Sequence, residues 1–271
     1  MLPALDDAYR LPDDVIRSFR RDGHVRVGGL ASPAEVAAYR PAIVETGPRG
    51  LFDDRPLTER DTYGQAFLQM FNLWTLDERV RAFVFSRRFA QVAAELMGVD
   101  GVRLYHDQAL FKEPGGGFTP WHQDQFYWPL DTEHTITLWM PLVEITPAMG
   151  PMAFASGSQR LGKLCDLPIS DASEAAYRRA VEEHGLACTD PETFAPGDAT
   201  FHAGWTMHRA PANRTDRMRE VMTAIYYADG TKVGPLDHPN RRFDRDVWLR
   251  GCEEGELAAG PKNPVLWRSD A

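Results

Sequence analysis

Residues 101–229 predict a mainly β fold of the α+β kind, an antiparallel barrel or double sheet, preceded by a mostly helical flank. Three observations carry the prediction. After residue 100 the chain breaks into short runs rich in β-branched and aromatic residues, V-R-L-Y-H-D-Q-A-L-F-K, T-I-T-L-W-M-P-L-V-E-I, A-T-F-H-A-G-W and V-M-T-A-I-Y-Y, separated by Gly, Pro and Asp. Such spacing is that of strands in a closed or doubled antiparallel sheet. The first hundred residues carry helix start and stop signals instead, and a hydrophobic fraction of 43% with seven Trp and fourteen Phe supplies a sizeable core.

The elements follow in order. Residues 11–21 read as a helix ended by Asp22-Gly23, and H-V-R-V at 24–27 as a short strand. Ser32-Pro33-Ala34-Glu35 combines a cap, a proline at the first helical position and a glutamate three residues after the cap, which starts a helix running to about Glu45. Gly47-Pro48 stops it. Residues 47–66 are polar and bear Pro and Gly, as a surface loop does. F-L-Q-M-F-N-L-W at 67–74 is core by its apolarity, with part of it able to wall a pocket for an apolar substrate. Ser86 and Gly98 bracket a further helix. The charged, helix-favouring insertion at 171–184 falls between strands, where it could contribute to a lid.

At 271 residues the chain could hold one domain or two, since closed β architectures often reach this length undivided. No repeat, low-complexity tract or linker divides it. The expectation is a single domain over 1–271: a helical flank (1–100), the β core (101–229) and a C-terminal extension packing on the core (230–271).

Several function classes are disfavoured by composition. A net charge of −9 and four lysines in all argue against nucleic acid or an anionic membrane as partner, because such surfaces need clustered Lys and Arg. No apolar run approaches a membrane span, and the acidic start M-L-P-A-L-D-D-A is unlike a signal peptide, so a soluble, cytoplasmic protein is expected. Cys165, Cys188 and Cys252 share no paired spacing, which points to free thiols. No oligomerisation stripe is evident; a monomer and a weak homodimer are both acceptable.

The candidate chemistry lies in W-H-Q-D-Q at 121–125 and H-R-A-P-A-N-R-T-D-R-M-R at 208–219. On an extended segment residues i and i+2 point the same way, so His122 and Asp124 would present imidazole and carboxylate to one ion with Gln123 turned away. The pair alone is weak, because with eight histidines about one His-x-Asp is expected by chance. His208 is delivered by a later strand-like run and followed by Arg219. Two histidines and a carboxylate suit an iron(II) site with open positions. The planar fork of an arginine can hold the distal carboxylate of an oxoacid bidentately.

With these motifs in hand, the chain resembles the phytanoyl-CoA dioxygenase-like family of iron(II)/2-oxoglutarate oxygenases. The resemblance spans nearly the whole length: R-R-D-G-H-V-R-V-G-G-L near the start, F-K-E-P-G-G-G-F-T-P-W-H-Q-D in the middle, G-D-A-T-F-H-A-G-W-T-M-H-R-A-P-A-N late and N-P-V-L-W near the end. It implies a double-stranded β-helix (jelly roll, cupin-like) core with N-terminal and flanking helices. It implies that His122, Asp124 and His208 bind iron(II), and that Arg219, eleven residues after the distal histidine, binds the 5-carboxylate of 2-oxoglutarate, with O₂ as the other co-substrate. It further suggests that Trp139 flanks the co-substrate and that Gln108 contacts it. The reaction implied is attack on a C–H bond of a small organic substrate, ending in hydroxylation, epimerisation or cyclisation. Asp124 excludes the halogenase variant, which replaces this carboxylate to admit chloride. The preference for Arg over Lys and the aromatic residues near the presumed pocket favour a natural-product tailoring enzyme of secondary metabolism over a fatty acyl-CoA enzyme.

Two positions depart from the family pattern: A-S-G-S-Q-R stands at 155–160 where many relatives have P-G-S-H-R, and Ala210 stands where a serine often lies two residues after the distal histidine, a lost hydroxyl that could change how the co-substrate carboxylate is held. His202 is an alternative ligand but lacks an arginine at the right distance; a hydrogen-bonded pocket histidine is the plainer reading. His106 and His134 are strand or loop residues able to face substrate, His24, His184 and His238 read as peripheral and solvated, and Lys112 as solvated or touching an anion. Two competing functions are a redox-neutral zinc or manganese jelly-roll isomerase or hydrolase, which would need neither Arg219 nor O₂, and a non-catalytic binding protein on the same scaffold.

Overall fold

The structure, a computed structural model, describes residues 2–269. Helix α1 (Asp13–Asp22) ends where Gly23 takes a left-handed φ of 78°, and β1 (His24–Val27) follows at once. Helix α2 (Pro33–Thr46) starts in the expected capping box: Ser32 accepts the Glu35 N–H, and the Glu35 carboxylate accepts the Ser32 N–H. The segment expected as a surface loop carries two single-turn 3₁₀ helices, Gly47–Gly50 and Leu57–Glu59. Strand β2 (Leu68–Phe71) divides the apolar 67–74 run between its two readings, with Met70 buried in the core and Gln69 and Phe71 facing a cavity. Helix α3 (Glu78–Val84), capped by Asp77, is too short to show a helical period in the sequence. Helix α4 (Arg87–Met97) has the predicted Ser86 cap and Gly98 terminator.

The β core comprises β3 (Gly101–Phe111), β4 (Thr119–His122), β5 (Thr135–Pro141), β6 (Ala153–Phe154), β7 (Ala199–Ala203), β8 (His208–Ala210) and β9 (Val221–Ala228). Helix α5 (Asp171–Glu183) lies between β6 and β7, and α6 (Pro239–Trp248) and β10 (Val265–Arg268) complete the chain. Seven strands form the major antiparallel sheet in the order β1-β7-β5-β9-β3-β10, with β2 also on β3; β4-β8-β6 form a minor sheet. This is the antiparallel, sheet-rich core with flanking helices that the sequence predicts. The C-terminal stretch does more than cover the core, since β10 pairs with Gly101–Arg103 of β3.

Every residue of β5 is buried, so both faces of this strand are covered. Ile136, Leu138 and Met140 join residues of α2, α3 and α4 in the main apolar cluster on one face. Removing such a fully buried side chain, as in Leu138→Ala, costs about 2–5 kcal/mol through lost burial and the cavity left behind. Thr135, Thr137 and Trp139 point the other way. Register extends that polar face across the sheet in two rows. Thr200, Trp139, Thr223 and Gln108 are mutual cross-strand partners along β7-β5-β9-β3, and His202, Thr137, Ile225 and His106 form the adjacent row. Residues two apart on a strand share a face, so both rows belong to the inner face.

Candidate metal centre and adjoining cavity

His122 and His208 are direct cross-strand partners at the end of β4 and on β8. Strand β4 stops at His122, and Asp124 already opens a single-turn helix, a small departure from the uninterrupted extended segment expected. The i, i+2 geometry survives because Gln123 keeps extended dihedrals (φ −126°, ψ 123°). Its side chain turns away and is buried, donating to the carbonyls of Gly162 and Trp205 at 2.8 Å and accepting from the Leu164 N–H at 3.0 Å. Those bonds lock the loop that carries the carboxylate.

One ligand-type atom from each of His122, Asp124 and His208 falls within 4.8 Å of the others. Both imidazoles are oriented from behind: His122 Nδ1 lies 2.7 Å from the Pro120 carbonyl and His208 Nδ1 lies 3.0 Å from the Thr206 carbonyl. A ring nitrogen bonded to a carbonyl carries the proton, which leaves each Nε2 with a free lone pair. Those Nε2 atoms stand 3.6 Å from Asp124 Oδ1. The other oxygen, Oδ2, is held by the Thr137 hydroxyl at 3.2 Å and His202 Nε2 at 3.3 Å. The carboxylate therefore divides its oxygens, one for its neighbours and one toward the open side. Such outer partners orient ligands and tune a metal.

The electrostatics suit a cation. Burial pushes the His122 imidazole down to about 3 and His208 to about 4, so both are neutral at ordinary pH. Burial alone would raise the Asp124 carboxyl, but His208, His202 and His122 hold it well below the usual carboxylate range. Two neutral imidazoles and one carboxylate are the donor set that suits a divalent transition metal.

Arg219 lines the same pocket as these residues. Its backbone exchanges both hydrogen bonds with Lys112 at 2.9 Å, and its Nη1 donates to the Gly150 carbonyl at 2.6 Å. Buried at 1% exposure, its guanidinium is pushed down to about 9 by desolvation, yet stays charged at neutral pH. Its Nε has no protein partner, and neither do Trp139 Nε1 and Thr119 Oγ1, which line the same pocket and are likewise buried. The Arg219 guanidinium lies 5.7 Å from the centre of the Trp139 ring. Unpaired buried polar groups cost about 1–3 kcal/mol each, and three of them belong to residues that line this one pocket. Gln108 borders the same pocket and accepts from Gln69 Nε2 at 2.7 Å. The structure thus brings together all six residues singled out in the sequence.

Several expectations are corrected by packing. Lys112 is neither solvated nor paired with an anion: it is fully buried, donates to the Gly117 carbonyl, and is pushed down to about 6 by burial and by the charge of Arg219. His24 is not peripheral; its ring stacks on Phe154 at 4.6 Å and its Nε2 meets Ser156 Oγ at 2.9 Å. His238 caps α6 by accepting the Asn240 N–H. Helix α5 backs β4: Glu174 accepts the Trp121 N–H at 2.7 Å and Tyr177 donates to Gln123, so it braces the strand that ends at His122, and Ile169 just before it borders the outer cavity. Thr119 was missed. It is the cross-strand partner of Ala210, a pairing that no linear motif displays.

Beyond Asp124 the pocket opens into a cavity of about 440 Å³ walled by β2, β3, α6 and the loops 50–63 and 127–128. His106 and Asp244 line it, and Asp244 accepts from Tyr105 at 2.8 Å.

The chain is similar in sequence and fold to several known proteins. The description "Phytanoyl-CoA dioxygenase (PhyH)" belongs to the family model that residues 19–221 match. A "Probable alpha-ketoglutarate-dependent hypophosphite dioxygenase" of Stutzerimonas stutzeri is 24% identical over 78% of this chain and 77% of its own. A "Methylphosphonate hydroxylase" of Gimesia maris is 23% identical over 80% and 81%. Among solved structures, the epimerase SnoN in complex with Fe3+, alpha-ketoglutarate and nogalamycin RO is 25% identical and superposes with a TM-score of 0.77 over 94% of this chain and 98% of that one.

Proposed function

The chain belongs to the phytanoyl-CoA dioxygenase family, and from that premise we propose that His122, Asp124 and His208 hold its iron(II), with Arg219 anchoring the far carboxylate of 2-oxoglutarate. It is an iron- and 2-oxoglutarate-dependent oxygenase. The observation that carries the residue assignment is the three-atom cluster in a pocket that Arg219, with its unpartnered Nε, also lines. A redox-neutral zinc enzyme has no use for a buried arginine at that place.

When bound, iron and 2-oxoglutarate supply the oxidising power that breaks a substrate C–H bond, consuming O₂ and releasing succinate and CO₂. The protein's own residues bind, orient and exclude. His122 and His208 offer Nε2 because backbone carbonyls hold their other nitrogens. Thr137 and His202 hold Asp124 Oδ2 and thereby fix the direction of Oδ1. Arg219, Thr119 and Trp139 Nε1 would hold the co-substrate carboxylate by charge and hydrogen bonds, and Gln108 would contact it. Thr119 takes the part of the serine absent at 210. The large cavity beside Asp124 receives a small organic molecule, of the natural-product kind, and places one of its C–H bonds beside the metal. Hydroxylation, epimerisation and cyclisation all use these same residues.

Addition of Fe(II) and 2-oxoglutarate without O₂ is expected to produce the weak visible charge-transfer band of the chelate. A folded protein that binds both without this band would sink the assignment. A coupled assay of succinate release with candidate substrates, followed by product mass, then distinguishes hydroxylation (heavier by one oxygen) from epimerisation (unchanged) and cyclisation (lighter by two hydrogens).

A further inference from the structure

The cavity beside the metal is dressed for rings. Phe71, Trp128, Tyr127 and Trp248 form its walls, and Phe52 and Phe243, 67% and 51% exposed, stand at its mouth. Large apolar side chains so exposed at the rim of a concave site are otherwise costly to leave in water, and such rims mark interaction sites. The volume of about 440 Å³ falls in the range of about 300–1,000 Å³ that accommodates molecules of many atoms.

Its polar groups are equally selective. Among the described residues no lysine or arginine lines this cavity; the carboxyl side chains bordering it are Asp124 and Asp244, the latter pushed up to about 7 by burial. Lys262 sits 5.6 Å from the Trp248 ring and is not part of the lining. Away from the proposed metal ligands, an oxyanion would thus find no arginine or lysine in the lining to pair with. His106 supplies what is left. Its Nδ1 is buried without a partner while its ring is wedged against Trp248 (4.8 Å between centres) and Phe71 (5.6 Å). Burial holds this imidazole down at about 4, so it is neutral and offers one hydrogen bond with no charge. His106 shares a cross-strand row with His202, which touches Asp124. At about 4.8 Å per strand, three strand spacings put His106 roughly 14 Å across the sheet from His202.

We propose that the substrate is an uncharged, ring-bearing molecule whose hydroxyl or carbonyl group is read by His106 Nδ1 while its rings lie between Phe71, Trp128 and Trp248, and that small phosphorus oxyanions are not substrates. This rests on the iron/2-oxoglutarate reading of the site and narrows its substrate. His106 is a specificity residue: it touches the substrate at the end away from the reacting C–H bond.

The test uses the anaerobic enzyme loaded with Fe(II) and 2-oxoglutarate, and reads both tryptophan fluorescence and the visible chelate band. Naphthol and tetralone serve as neutral ring probes and methylphosphonate as the oxyanion. Saturable quenching by at least one ring compound is expected at concentrations where methylphosphonate does nothing. His106→Phe keeps the packing and removes the hydrogen bond, and should weaken ring binding about tenfold; His106→Asn, which returns a polar atom near Nδ1, should recover most of it. Saturation by methylphosphonate at equal or lower concentration, no saturable quenching by either ring compound, or unchanged affinity in His106→Phe overturns the proposal. A missing chelate band with ring binding intact overturns the metal reading instead, so the two failures are distinguishable. Should His106→Phe not fold, the ring-against-oxyanion comparison in the parent enzyme still decides.

Discussion

Thr119 and Ala210 face one another across the β4–β8 pair, and the Thr119 hydroxyl is buried and unpartnered on a residue that lines the same pocket as Arg219. A hydroxyl that is missing from one strand is therefore present on its neighbour, a few ångströms away. Thr119→Val, nearly equal in volume, should weaken 2-oxoglutarate binding to the Fe(II) protein about tenfold. Titration of the chelate band measures this. Adding Ala210→Ser to that variant should restore part of the affinity; if Thr119→Val has no effect, the hydroxyl has no role in the seat.

Arg219→Ala should lose 2-oxoglutarate affinity by far more than Thr119→Val, while Fe(II) affinity changes little, because Arg219 lines the pocket without belonging to the three-residue cluster. Arg219→Lys should recover only part, since a single ammonium cannot reproduce a planar fork. Equal losses of iron and co-substrate would show that the residue is misplaced. Calorimetry with each ligand separately gives the two affinities.

Gly150 links backbone geometry to the same arginine. Its φ is 72°, its carbonyl accepts from Arg219 Nη1, and an added Cβ would lie 2.0 Å from the Pro211 carbonyl oxygen. Gly150→Ala should therefore destabilise the protein by about 2–4 kcal/mol and weaken 2-oxoglutarate binding in the molecules that remain folded. Denaturant unfolding and the band titration report the two effects independently.

His202 and the proposed ligands should separate in metal affinity. His202→Phe leaves the ligand set complete and removes one bond to Asp124 Oδ2, so Fe(II) affinity should fall about 10–100-fold. His122→Ala and His208→Ala should abolish binding at micromolar iron. The reverse order, with His202→Phe abolishing and His208→Ala sparing, would make His202 the ligand.

Asp107 offers a pH signature away from the ligands. It is fully buried, and desolvation pushes its carboxyl up to about 7 although it accepts the Leu73 N–H. A folded-state value above the unfolded 3.8 means that the folded protein holds the proton more tightly. The stabilisation is then complete below pH 4 and is lost as pH rises through 7. Asp107→Asn, which cannot ionise, should gain on the parent across that window and run parallel to it above pH 8. The ceiling is about 4 kcal/mol at 1.36 kcal/mol per unit. Parallel stability curves from pH 4 to 8 would exclude a raised carboxyl.

Much of the molecule was legible in one dimension. The Ser32 capping box, the Ser86 cap and the Gly98 terminator are local devices in which a few adjacent residues satisfy their own backbone. The alternation Thr135-Ile136-Thr137-Leu138-Trp139 states the two faces of β5 because side-chain direction has period two. His122-x-Asp124 is legible for the same reason, and the spacing from His208 to Arg219 reads as a strand turn followed by a new strand.

What the sequence could not contain is which distant residues face each other. The inner rows of the major sheet, the pairing of Thr119 with Ala210, the burial of Lys112 beside Arg219 and the seat of His106 between Phe71 and Trp248 all depend on strand register. A shift of one residue would turn every one of those side chains to the other face. The linear chain by itself determined the chemistry of the ligands, since residue type and local spacing set what a side chain can donate. Tertiary structure alone decided their tuning and the character of the cavity, because desolvation, partner loss and the absence of arginine and lysine from the lining are properties of what surrounds a group in space.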